Sequence, residues 1–125
     1  MDKEITIDQT RFSPGVRLKK GTLKMEGRSV LNDPKPFFQP LFLWVDKYIS
    51  GNPGTTRIDL KFEYINTSST KWVFEMLRAI KQKKHSSDDL EINWYYETGD
   101  EDMYELGEIL KSLMNSSFRI IETPE

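Results

Sequence analysis

Residues 56–77 read TRIDLKFEYINTSSTKWVFEML, and a change of period inside this stretch decides the fold. From 56 to 64 apolar and charged residues alternate: Ile58, Leu60, Phe62 and Tyr64 stand against Arg57, Asp59, Lys61 and Glu63. A period of two is the mark of a strand with one wet face. From Thr70 the spacing lengthens. In TKWVFEMLRAIKQKK, Val73, Met76, Leu77 and Ile80 form one helical stripe, and the closing lysines suit the negative end of a helix dipole. Between strand and helix lies a run of four hydroxyl residues, Thr67, Ser68, Ser69 and Thr70.

The same two periods recur outward. LEINWYYE, residues 90–97, sets Leu90, Ile92, Trp94 and Tyr96 opposite Glu91, Asn93, Tyr95 and Glu97; TLKME alternates more weakly through Leu23 and Met25. FFQPLFLWVDKYIS carries Phe38, Leu41, Phe42, Val45 and Ile49 at helical spacing, follows the breaker NDPKP and stops at GNPG. DEDMYELGEILKSLMN opens on acids that favour a helix N-terminus and stripes Met103, Leu106, Leu110 and Leu113. FRII makes a final strand, VRLKKGTLKME two strands of a hairpin turning near Gly21, and EITI a further short strand. The expected order is β, β, α, β, α, β, α, β, with EITI ahead of it. Strands joined through helices pair in parallel, and right-handed crossovers advancing steadily place every helix on one side. The expectation is a two-layer α/β fold: a mixed, largely parallel sheet with helices mainly on one face, in one domain spanning 1–125.

Composition narrows the function classes. The chain has 125 residues, 37% hydrophobic, with three Trp, seven Phe and five Tyr, enough for a substantial core. Eighteen basic and 20 acidic side chains leave a formal charge of -2, so no one-signed field draws it to nucleic acid or anionic lipid. Without cysteine there are no disulfides, thiolate metal sites or Cys nucleophiles. MDKEITIDQTRF lacks a signal-peptide apolar run, and no apolar stretch approaches about 18 residues, which points to a cytoplasmic protein without membrane insertion.

Catalytic and cofactor constellations are weak. His85, the single histidine, sits with Ser86 and Asp88 in KQKKHSSDD; proximity in a turn does not create triad geometry. Asp100, Glu101, Asp102, Glu105 and Glu108 are the densest acids, but helix-start acids fan around the axis rather than converge on a metal. The seven glycines form neither phosphate-loop pattern, so no cofactor is implied. Lys81, Lys83 and Lys84 lack the interleaved aromatics of a nucleic-acid binder. Two other readings remain in play: a small-molecule sensor or carrier with an apolar pocket near Trp94 and Tyr96, and a metal-dependent enzyme using the acids of 100–108.

The hydroxyl run has two compatible readings. One hydroxyl can cap the helix, stabilising it by about 1 kcal/mol. A helix start also offers unpaired N–H groups and about half a positive charge, so it tolerates an added phosphate. Trp72 and Phe74 flank Val73 and cannot both share its stripe; at least one lies toward the surface, where large aromatics anchor partners.

The chain resembles the SiaC family of bacterial regulatory phosphoproteins in order and over nearly its whole length. The carrying residues are Gly21, Leu23, Gly27 and Ser29; Trp44 and Tyr48; then Tyr64, Asn66, Thr67, Ser68 and Ser69. VLNDPKP, residues 30–36, departs from the Tyr-Pro-Glu-Asn type of sequence found there. The resemblance implies a fold similar to STAS domains of anti-sigma-factor antagonists and a non-enzymatic role in partner switching. It implies a serine/threonine kinase with a histidine-kinase-like ATPase fold, a metal-dependent serine/threonine phosphatase, and an effector such as a diguanylate cyclase, linking the chain to cyclic di-GMP. Carried onto this sequence, the phosphoacceptor is Thr67, with Ser68 as the fallback. The expected partner surface is Asn66, Thr67, Ser68, Ser69, Lys71 and Trp72 at the start of the second helix.

Overall fold

The computed structural model describes residues 3–83, 89–114 and 118–124. The elements are β1 (Ile5–Ile7), β2 (Gly15–Lys19), β3 (Thr22–Ser29), α1 (Lys35–Ser50), β4 (Thr56–Ile65), α2 (Thr67–Lys83), β5 (Leu90–Glu97), α3 (Glu101–Met114) and β6 (Phe118–Thr123). The strands lie side by side in chain order. β1, β2 and β3 pair antiparallel and β3 through β6 pair parallel, as the helical crossovers require. The β2–β3 turn passes through Gly21 at φ 89°, a left-handed position that glycine adopts without steric cost.

Because each crossover advances one strand in the same direction, right-handed connections put all three helices over one face. The core lies there: Leu18, Leu23, Met25, Ile58, Leu60, Ile92 and Trp94 from the sheet meet Phe38, Leu41, Val45, Val73, Leu77, Ile80 and Leu110 from the helices. Motif residues brace this layer. The Tyr48 hydroxyl joins three elements, bonding the Gly21 amide (2.8 Å) and the Thr56 hydroxyl (2.9 Å), while its ring stacks on Trp44 at 5.1 Å. On the opposite face Asp59 is buried because Arg57, Asn93 and Tyr95 all donate to it. Tyr95, then Asp59, hold the Arg57 guanidinium above its ordinary pKa.

Three expectations change. α2 begins at Thr67, three residues before the apolar stripe suggests, so the hydroxyl run forms its first turn. Tyr64 leaves the apolar face: the β3–β4 register slips between Gly27 and Arg28, the alternation inverts, and Tyr64 is 47% exposed beneath the Arg28 guanidinium. In α3 the buried residues are Met103, Gly107, Leu110 and Met114, whereas Leu113 faces outward.

Candidate functional site

The junction of β4 and α2 is held by a polar clasp to the end of β3. The Asn66 amide donates to the Ser29 carbonyl at 2.9 Å, continuing the β3–β4 ladder. The Asn66 side chain then works in two directions: Oδ1 accepts from the Ser69 amide at 3.0 Å, and Nδ2 donates to the Leu31 carbonyl at 3.0 Å. Asn66 is therefore the N-cap, and the expectation that one of the hydroxyls of 67–70 caps the helix is corrected. An asparagine just ahead of the first turn presents an acceptor at the right reach, which leaves the hydroxyls to other partners.

Those partners differ sharply. Ser69 is fully buried, and its Oγ accepts a 2.8 Å hydrogen bond from the equally buried Ser29 hydroxyl. It cannot touch a partner protein in this conformation, contrary to its expected place on the surface. The Thr70 hydroxyl donates back to the Asn66 carbonyl at 2.9 Å. Ser68 is half-buried, with long 3.4 Å contacts to the Leu31 carbonyl and Asn66 Oδ1. Thr67 is exposed, and its hydroxyl has no partner among the described residues.

α2 presents different chemistry on its two flanks. Trp72 turns toward α1, its ring parallel to Phe38 at 6.3 Å and edge-on to Phe42 at 6.3 Å. Its half-buried indole is thus part of the helix–helix packing, away from Thr67. Toward α3 a groove of about 410 Å³ opens, with Thr67 and Lys71 on its rim and Phe74, Leu106, Ile109 and Leu113 among its apolar lining. It continues past Phe74 and Leu113 into a second hollow of about 310 Å³ reaching Arg78, Lys81 and Gln82. Ile109 is 56% and Leu113 49% exposed, large for aliphatic side chains side by side. No acid lines either hollow, while Lys71, Arg78 and Lys81 do. Arg78 pairs with Glu75 at 3.8 Å and Lys81 donates to the Leu113 carbonyl at 3.1 Å, whereas Lys71 has no partner among the described residues. Phe74, rather than Trp72, is the aromatic beside Thr67. A second stripe, Leu106, Ile109 and Leu113 at i, i+3 and i+7, is the sequence signal that marks this groove.

The other candidates do not form sites among the described residues. Trp94 is fully buried and donates to the Met103 carbonyl at 2.9 Å, with α3 closing over its ring at Gly107, so it lines no pocket; the hollow at Tyr96, about 180 Å³, is rimmed by Glu26, Lys61, Glu63 and Glu97 and is not the apolar pocket expected of a small-molecule carrier. The apolar hollow between the sheet and α1/α2 is about 30 Å³, an order of magnitude below ligand pockets of about 300 Å³ or more. Asp100 is occupied as the cap of α3, accepting from the Met103 amide at 3.1 Å, and no group of three His, Asp or Glu is arranged to hold a metal. Lys83 is tied to Asp46 at 2.5 Å. Lys84, His85, Ser86 and Asp88 lie outside the described residues. The sheet order never reverses, so there is no switch-point crevice of the kind that binds nucleotides in open α/β sheets. Among the described residues no helix is long and apolar enough to cross a membrane.

The geometry defines a class: a two-layer α/β protein that presents, among the described residues, an exposed hydroxyl beside an apolar, cation-rimmed groove. The chain belongs to the SiaC family of regulatory phosphoproteins, whose family model matches residues 7–123. It is 24% identical over 119 residues to an uncharacterized protein of Pseudomonas aeruginosa (strain UCBPP-PA14), covering 94% of each chain. Its fold matches SiaC of Pseudomonas aeruginosa with a TM-score of 0.83 at 22% identity, covering 98% of this chain and 99% of that one. It also matches the crystal structure of the diguanylate cyclase SiaD in complex with its activator SiaC from Pseudomonas aeruginosa, at TM-score 0.87 and 23% identity, covering 95% of this chain and 99% of the matched one.

Proposed function

We propose that this chain is a non-enzymatic cytoplasmic switch that binds and regulates an effector protein, such as a diguanylate cyclase, and is controlled by phosphorylation of Thr67. A serine/threonine kinase of histidine-kinase-like fold adds the phosphate, and a metal-dependent phosphatase removes it. The observation that carries the choice of Thr67 is that its hydroxyl, unlike those of Ser68, Ser69 and Thr70, is exposed and has no partner among the described residues, on the rim of the α2/α3 groove. Membership of a phosphoprotein family, and the likeness to an activator of a cyclase, support the circuit around it.

The effector surface is the groove itself. Apolar lining rimmed by Lys71, Arg78 and Lys81, without acids, suits a segment carrying apolar anchors and acidic side chains. A phosphate at Thr67 brings about -1.5 to -2 charges to the end of that groove. It repels the acids of the partner and costs desolvation where a neutral hydroxyl had fitted, so the effector is released. The test is to recover the protein from its native host and locate phosphate by mass spectrometry. Phosphate on Thr67, and none on a Thr67→Ala variant, is the expected result. Absence of phosphate anywhere in 67–70 under conditions that switch the effector defeats the reading.

A further inference from the structure

We propose that the buried Ser29–Ser69 hydroxyl pair, with the Asn66 and Ser68 contacts to the Leu31 carbonyl, is what confines phosphorylation to a single hydroxyl. The inference rests on the reading of Thr67 as phosphoacceptor and adds the physical cause of that selectivity. Four hydroxyls lie consecutively in one helical turn, and chemically they are close to equivalent. Phosphoryl transfer moves the γ-phosphoryl group of ATP onto a hydroxyl oxygen, whose proton leaves to a base as ADP departs. The oxygen must reach the phosphorus in line, so access decides among them.

Access is set from β3. Ser29 and Ser69 are both 0% exposed, and their 2.8 Å bond ties the first turn of α2 to a strand end 40 residues earlier. Asn66 Nδ2 at 3.0 Å and Ser68 Oγ at 3.4 Å converge on the Leu31 carbonyl and hold the turn at a second point. Thr70, half-buried on the same groove, has its hydroxyl engaged with the Asn66 carbonyl at 2.9 Å, which leaves Thr67, on the flank away from both points, as the exposed hydroxyl for a kinase. Ser29 and Ser69 are positioning residues: they leave the acceptor untouched and withhold its neighbours.

The test compares wild type, Ser29→Ala, Thr67→Ala and the double variant Ser29→Ala/Thr67→Ala, each recovered from the native host, with phosphate located by fragmentation mass spectrometry. In wild type phosphate sits on Thr67. In Ser29→Ala the fraction on Ser68 plus Ser69 rises about tenfold, the change in open-state population expected when one buried hydrogen bond is lost. Thr67→Ala carries no phosphate, and the double variant regains it on Ser68 or Ser69. A Leu18→Ala variant, destabilised at a core position on β2, keeps its phosphate on Thr67. Should Ser29→Ala fail to fold, Asn66→Asp preserves the helix cap while removing the donor to Leu31, and spreads phosphate onto Ser68. Phosphate confined to Thr67 in these variants, or the same spread in Leu18→Ala, overturns the inference and leaves the phosphoacceptor standing. Wild type without phosphate in 67–70 overturns both.

Discussion

Asn66 occupies the position on which the local chemistry turns, because one side chain both caps α2 and anchors it to β3. Asn66→Ala loses both bonds, and the expected cost is about 1–2 kcal/mol, read from the urea midpoint at unchanged slope. Asn66→Asp keeps an acceptor for the Ser69 amide and costs less; equal losses in the two variants would mean that capping is not the stabilising role. The hydroxyl run was legible as lying at a strand-to-helix junction, but the cap was expected among the hydroxyls rather than at Asn66. Which hydroxyl is free was not legible, because that depends on Ser29 and Leu31, residues distant in the chain that arrive through β3–β4 pairing.

α2 and α3 carry the next level of organisation. Gly107 sits inside α3, where alanine would raise helix propensity by about 1 kcal/mol. A Cβ there would meet Trp94 Cδ1 at 2.6 Å, so the glycine is needed for close approach of helix to sheet. Gly107→Ala is therefore expected to destabilise by about 1–3 kcal/mol, measured by thermal or urea unfolding. A second expectation separates the two flanks of α2. Ile109→Ser, at an exposed groove position, changes stability by less than about 0.5 kcal/mol yet weakens effector binding about tenfold or more in calorimetric titration. Trp72→Ala instead lowers stability, since its indole packs on Phe38 and Phe42. Equal binding losses without loss of stability at Trp72 would return the partner surface to the α1 flank. The helical stripe identified the buried side of α2, but in α3 it misassigned Leu113, which lines the groove shared with α2, because the covered side of α3 is set by how the helix sits on Trp94 through Gly107.

Across the whole molecule, the proposed switch is a change of surface charge on a fold expected to stay intact. Phosphate takes the formal charge from -2 to roughly -4. At an exposed helix start it is expected to shift the melting temperature by no more than about 3 °C, checked by far-UV circular dichroism of both forms. Effector binding to the unphosphorylated protein is expected to weaken as salt rises, because the cationic rim of the groove is screened; salt-independent affinity would remove the rim from the interface. The sequence by itself determined the two-layer architecture, the parallel order of the later strands and the junction where the hydroxyls gather, because hydrophobic period and chain connectivity are local properties. Only the tertiary structure decided that Asn66 is the cap, that Ser69 is buried, that Trp72 turns toward α1 while Phe74 faces the groove, and that the β-bulge turns Tyr64 outward. Each of those outcomes depends on strand register and helix spacing, which arise from contacts between residues that are far apart in the chain.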